Sequence, residues 1–311
     1  MTRQWGMRGM TLVELMVALA LGLLIVLAAG TTLVVASSAF AAQAQAAAID
    51  DAGRFALELI GRSARQTAFV DLDRDGAALL AADGPARIAG ADAATMVKGS
   101  AGMSDLRAGA INGSDVLALR FNGAGAAPDG DGSVLSCAGF SVPADADGWS
   151  IFYVAKSSHG VAELRCKYRA DTGWSADAVV GGVDAFQVLY GLDTDAPADG
   201  VANRFLSASA IEAIDAALTP EGDTPADIAQ DRQRRSAWKR IASIKVALLL
   251  HGRERSSMDR ELGQYALLGE AYARVAAGDA GVTIREADLP PDLRYRERRL
   301  FTATILLRNA G

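Results

Sequence analysis

The chain has 311 residues, a formal net charge of −6 and 50% hydrophobic residues. This length accommodates a long helix and one or two globular units. The acidic balance argues against a general nucleic-acid-binding protein, because such proteins normally carry a net basic surface.

The N-terminus combines a short basic leader with a long apolar segment. Arg3 and Arg8 precede Gly9, and the apolar run that follows to about residue 35 contains Glu14 as its only charged residue. Residues 15–35 would span about 30 Å as an α-helix, which is enough to cross a bilayer core. A carboxylate in such a segment is energetically costly, so we interpret Glu14 as functional. The preceding arginines predict a cytoplasmic N-terminus and place the remaining chain outside the cytoplasm.

This junction resembles the class III signal of type IV prepilins and pseudopilins, through the motif Gly9-Met10-Thr11-Leu12-Val13-Glu14-Leu15. The resemblance implies that a prepilin peptidase cuts between Gly9 and Met10 and N-methylates Met10. It also implies that Glu14 pairs with the N-terminal amine of a neighbouring subunit in a filament. The family usually has Phe where this chain has Met10, which is also apolar.

Two other interpretations of the N-terminus stay open. An ordinary secretory signal could end at the small residues Ala39-Phe40-Ala41, although its apolar core should cover only about 7–15 residues. A plain membrane anchor fits the length of the segment but does not account for Gly9 and Glu14.

Helical spacing of apolar residues continues beyond the membrane segment. Ala48, Ala52, Phe55 and Leu59 form one stripe, and no proline occurs before Pro85. We therefore predict a leader over residues 1–9 and one helix over residues 10–68. The membrane half of this helix would cover about 10–36 and the amphipathic half about 37–68. Residues 69–311 would form an extracytoplasmic, β-rich head domain.

The head domain contains short segments whose polar and apolar residues alternate. In one of them Leu164, Cys166 and Tyr168 face one way and charged residues face the other, which favours an antiparallel sheet with one solvent-exposed face. We predict loop for residues 69–113, helical or irregular structure for 207–240 and an extended excursion for 253–297. The predicted fold class is α+β, with a long N-terminal helix packed on a mainly antiparallel sheet. The predicted strands cover residues 116–121, 134–140, 150–155, 163–169, 184–190, 241–250 and 300–307.

The two cysteines, Cys137 and Cys166, lie in the part that the topology places outside the cytoplasm. A disulfide can persist there, and closing a loop of about 30 residues would contribute roughly 3–4 kcal/mol. The alternative is a pair of buried free thiols.

The second half of the chain also resembles a known family. Residues 183–195, 241–250 and 299–309 are similar, in this order, to the large minor pilins of the PilW type, and the pseudopilin J of type II secretion shares much of the pattern. The resemblance implies a non-enzymatic minor pilin that helps to initiate type IV pilus assembly at the filament tip. The open alternatives are a type II secretion pseudopilin and a membrane-anchored adhesin outside any filament.

The resemblance also implies partners and a location. The partners would be other minor and major pilins, the prepilin peptidase, the inner-membrane assembly platform and the lipid bilayer. The protein would cross the inner membrane once, with a periplasmic head, and then enter the filament at the cell surface.

Residue patterns for catalysis are weak. His159 and His251 are the only histidines, and neither has metal-ligand spacing to another histidine or cysteine. The chain has no Gly-x-Ser-x-Gly elbow, phosphate loop or His-Glu-x-x-His motif. We therefore expect no enzymatic activity and no cofactor.

Two groups of aspartates could bind calcium, whose ligands are mainly carboxylate and carbonyl oxygens. The first group lacks its closing acid, because that position is Ala82, and the second has Pro197 where another donor would help. Aspartate is also a common turn residue, so ordinary turns are the expected alternative. The groups are Asp71, Asp73 and Asp75, and Asp193, Asp195 and Asp199.

Basic residues cluster at 232–240 and at Arg294, Arg296, Arg298 and Arg299. Alternate members of the second cluster could line one face of a strand. Acidic residues interleave with both clusters, so we expect solvated faces or charges that protect a sheet edge, and no nucleic-acid binding.

Overall fold

The computed structural model describes residues 9–69, 84–144, 146–255 and 261–308. It divides into two compact units, Met1–Ala48 and Ile49–Gly311. The fold class is α+β, as predicted: a long N-terminal helix accompanies antiparallel sheets.

Helix α1 runs from Leu12 to Gln66, two residues inside the predicted bounds at each end. Gly22 and Gly30 lie within it without ending it. In the first unit its apolar side chains are exposed, and the helix contains a segment long and apolar enough to cross a membrane. In the second unit its buried face joins the core of the head.

The other elements belong to the second unit. The helices are α2 (Ala208–Ala216), α3 (Pro225–Arg235) and α4 (Glu270–Val275). The strands in chain order are β1 (Ile88–Ala91), β2 (Ala94–Met96), β3 (Leu106–Ala108), β4 (Val116–Asn122), β5 (Asp147–Lys156), β6 (Ala162–Ala170), β7 (Gly173–Gly181), β8 (Val183–Leu192), β9 (Arg204–Leu206), β10 (Ile241–Arg255), β11 (Gln264–Ala266), β12 (Thr283–Arg285) and β13 (Arg296–Leu306).

Two antiparallel sheets organise the head. One has the strand order β1-β4-β5-β6-β7 and the other the order β13-β10-β8-β9. The main core collects side chains from both sheets and from α1. The β2–β3 hairpin covers the far side of the first sheet. Residues 265–293, which include β11, β12 and α4, pack on the far side of the second.

Several predicted strands are confirmed within a few residues, but residues 134–140 do not form a strand. They make one isolated bridge, Leu135 with Ser141, and Gly139 has a positive φ of 84° that turns the chain. Strand β7 was missed because its glycine, alanine and aspartate residues have low strand propensity. Pairing with β6 forms this strand. The predicted loop 69–113 contains β1, β2 and β3, and the excursion 253–297 contains β11, β12 and α4.

The expectation of one solvent-exposed sheet face is wrong in the centre of the head. All residues of β8 are buried, and Lys167 of β6 is fully buried although it alternates with apolar neighbours. The Lys167 ammonium donates to the Val97 carbonyl at 3.0 Å, the Ser100 hydroxyl at 2.9 Å and the Gly102 carbonyl at 2.9 Å. Burial lowers the pKa of Lys167. Each of the three N–H donors of the ammonium therefore has an acceptor, which explains why the β2–β3 hairpin can cover this charge.

The close approach of α1 to β13 gives a stability prediction. A Cβ at position 53 would overlap the Phe301 ring, whereas one at position 61 would meet only the flexible end of Arg65. Gly53→Ala should therefore lower the free energy of unfolding by about 1–2 kcal/mol, because overpacking outweighs the gain in helix propensity. The matched control Gly61→Ala should be neutral or stabilising by up to about 1 kcal/mol. Urea unfolding of the detergent-solubilised chain measures both, and equal effects would contradict this packing.

Candidate functional site

The N-terminal site is organised by a capping box at the start of α1. The Thr11 amide and hydroxyl donate to the same carboxylate oxygen of Glu14 at 2.9 and 3.0 Å, and the Glu14 amide contacts the Thr11 hydroxyl oxygen at 3.3 Å. This reciprocal pair satisfies amides that the first helical turn leaves free. Gly9 and Met10 precede the helix, and Met10 is exposed.

This geometry brings Glu14 close to the position where the predicted mature chain would begin. Thr11 is the second residue of that predicted mature chain, and its role was missed although Thr-x-x-Glu is the usual capping-box spacing. Among the described residues, Glu14 has no cationic partner. The site therefore holds a carboxylate, locally hydrogen-bonded, that could still accept a cation.

The predicted disulfide is confirmed. Cys137 and Cys166 are bonded, with Cα atoms 6.0 Å apart. Cys166 lies in β6 as predicted, whereas Cys137 lies in the irregular segment between β4 and β5. The bond therefore ties a loop with little regular structure to an interior strand of the five-stranded sheet.

The second basic cluster is not a solvated face. The Arg298 side chain is fully buried, and it donates to Asp184 at 2.7 Å and to Glu286 at 2.8 Å. His251 Nδ1 lies 3.0 Å from the other oxygen of Asp184. Arg299 pairs with Asp50 of α1 and with Glu297. Arg298 and Arg299 therefore hold parts of the head together, and their charges are engaged by acidic residues of the same chain.

Sequence reasoning missed the acids of this buried network. Arg298 and Asp184 are 114 residues apart in the chain, so no local pattern links them. One sequence feature could have suggested a buried acid, because Asp184 stands in the mainly apolar strand β8. His159, the other histidine, is exposed in a turn.

The three aspartates of the second calcium hypothesis do lie together. Their carboxylate oxygens come within 4.8 Å of one another. Asp193 accepts the amides of Asp195 and Gly200 at 2.9 and 2.8 Å, and the first contact holds the pKa of Asp193 below its usual value. These bonds explain the cluster as a turn. The first hypothesis, on Asp71, Asp73 and Asp75, falls outside the described residues.

A comparison with protein families identifies the C-terminal half. The family model for PilW, the type IV pilus-assembly protein W, matches residues 151–309, slightly more than half of the chain. The chain belongs to the PilW family. The match begins in β5 and includes the whole four-stranded sheet, so it is independent of the Gly9–Glu14 motif. Neither a curated protein nor a solved structure gives a significant match.

The buried network of this PilW-family head gives a second prediction. Arg298→Met should lower the free energy of unfolding by about 3–5 kcal/mol, because it leaves two buried carboxylates without their cation. Arg299→Met is the control, since its partly exposed pairs should be worth about 1 kcal/mol or less. Urea unfolding at neutral pH measures both.

The penalty of Arg298→Met should clearly exceed that of Arg299→Met, because only the first variant leaves fully buried carboxylates without their cation. Similar penalties for the two variants would contradict this account of the network.

Proposed function

We propose that this PilW-family protein is a non-enzymatic minor pilin that helps to initiate type IV pilus assembly at the filament tip. The observation that carries the proposal is the occurrence, in one chain, of the Gly9–Glu14 junction on a long apolar helix and the PilW match in the head. Each points to pilus assembly from a different part of the sequence.

The apolar segment of α1 supports insertion in the inner membrane as a single span, with the head in the periplasm. Peptidase cleavage after Gly9 would then free the amine of Met10, which would be N-methylated. The subunit would next leave the membrane through the assembly platform and enter the filament. Packing of apolar helix halves against each other offsets the loss of lipid contacts.

The chemistry of assembly centres on Glu14. A carboxylate at the helix centre costs up to about 2.5–3.5 kcal/mol on insertion scales, and the capping box supplies two donors that reduce this cost before assembly. Inside a filament the carboxylate would pair with the N-terminal amine of a neighbouring minor or major pilin. Pairing allows both groups to remain ionised in an apolar environment, and breaking such a pair is costly.

We assign no catalytic role to His251, because its Nδ1 lies 3.0 Å from Asp184 in the buried network of the head. A type II secretion pseudopilin would share the N-terminal features, but the family match to pilus assembly favours the pilus. An adhesin outside any filament would not need cleavage after Gly9.

Processing gives a third prediction. The mature chain should begin at Met10 with a methylated amine, and Gly9→Val should leave the precursor uncut. Mass spectrometry of the N-terminus measures both. A mature terminus at Ala42 would instead support an ordinary secretory signal.

Glu14 gives a fourth prediction. Glu14→Ala and Glu14→Gln should still be cleaved and inserted but should lose pili and association with other minor pilins, because neither can bind the amine as an anion. The control is Ser37→Ala, whose hydroxyl bonds only to the Val34 carbonyl in the same helix. Pilus counts and co-purification of pilins measure the effect. If both Glu14 variants assemble like the wild type, the ion-pair mechanism is wrong.

A further inference from the structure

Strand β13 forms a long free edge of the four-stranded sheet. Among the described residues it pairs only with β10, whereas the opposite edge strand, β9, has three residues. The Leu307 amide donates to the Ala242 carbonyl at 2.9 Å. Hydrogen-bonded positions alternate along an antiparallel ladder. The backbone groups of the even-numbered positions therefore point away from β10, toward the free edge. These positions are Leu300, Thr302, Thr304 and Leu306.

The side chains at the same positions are uncovered. Leu300 is 37% exposed and Leu306 is 67% exposed. The neighbouring side chains on β10 are covered instead. Leu249, opposite Leu300, and Ala247, opposite Thr302, are both fully buried. The layer formed by residues 265–293 packs on those two residues of β10 and leaves the outer face of β13 open.

This edge lacks the usual protection against pairing with another chain. Natural edge strands are short, or carry charges, prolines or bulges. Residues 300–307 contain no charge and no proline, and the β10–β13 register is regular from Ser243 to His251. On the inner face Phe301 and Ile305 pack into the core, which holds the strand in place. Such an edge is suited to strand addition.

We propose that the free edge of β13 binds an extended segment of a neighbouring pilus subunit as an added antiparallel strand. The inference rests on the proposed function, since the partner is a subunit of the same filament. Antiparallel pairing continues the ladders that the sheet already uses.

Charge defines the partner segment further. Arg308 is exposed just beyond β13 and forms no ion pair with the described acidic residues. Lys245, opposite Thr304, donates to the Leu268 carbonyl at 3.3 Å and forms no ion pair with the described acidic residues. The added strand should therefore carry an acidic residue near its N-terminal end, opposite Arg308. Apolar residues should lie opposite Leu300 and Leu306.

The first test maps the contact. The photo-crosslinking residue p-benzoylphenylalanine replaces Leu300 or Leu306 in the full chain, and adducts formed in intact cells are sequenced by mass spectrometry. We expect both positions to reach one short segment of one pilin, with position 306 reaching the residues nearer its N-terminus. Adducts in the reverse order, in unrelated segments or in a second copy of this chain would overturn the proposal.

The second test blocks the edge without removing a bond to β10. Thr302→Pro and Thr304→Pro delete only an outward amide, which edge strands tolerate, whereas the controls Thr302→Val and Thr304→Val keep it. The proline variants should lower the adduct yield at least about tenfold. Thermal unfolding checks that the proline variants fold. If they do not fold, the crosslinks from positions 300 and 306 in the chain without these proline substitutions test the proposal by themselves.

The two proposals fail in distinguishable ways. Normal association with other pilins without the expected adducts would overturn the added strand alone. Loss of cleavage after Gly9, or absence of any pilin partner, would overturn the proposed function and the added strand with it.

Discussion

The head depends on the packing of one face of α1 against the core that side chains of both sheets form. Ile49, Ala56, Ile60 and Ala64 are buried on this face, and burial of each isoleucine stabilises the fold by about 1.5–3 kcal/mol. Gly53 lets the helix come close to the Phe301 ring. Asp50 also pairs with Arg299, so an ion pair as well as apolar packing joins this part of α1 to β13.

Polar groups inside the head hold the segments that have little regular structure. The Lys167 ammonium donates hydrogen bonds to three acceptors in the segment between β2 and β3 and so holds that segment in place. Arg298 joins Asp184 of β8 to Glu286, which follows β12. Buried charges contribute little net stability, but one arrangement satisfies them and others do not. These buried polar contacts therefore favour one position for each loop, which apolar packing alone would specify less closely.

The proposed functions divide along the chain. In these proposals the residues from Gly9 to Glu14 would carry processing and the ion pair inside a filament, which require only a helix start and an apolar environment. Selection of a particular neighbour would require a shaped surface, which the exposed edge of β13 would provide. A subunit could then share its assembly chemistry with other pilins and still bind a particular partner.

The sequence by itself determined the elements whose signals are local. An uninterrupted run of apolar residues followed by an amphipathic helical repeat predicted α1. Alternation of polar and apolar residues predicted β6 and β8. The predicted location outside the cytoplasm favoured the disulfide between Cys137 and Cys166. Tertiary structure alone decided that β7 is a strand and that Lys167 and Arg298 are interior residues. Alternation shows that two faces of a strand differ, but not which of them another layer covers. That depends on partners such as Asp184 and Gly102, which lie 114 and 65 residues away in the chain.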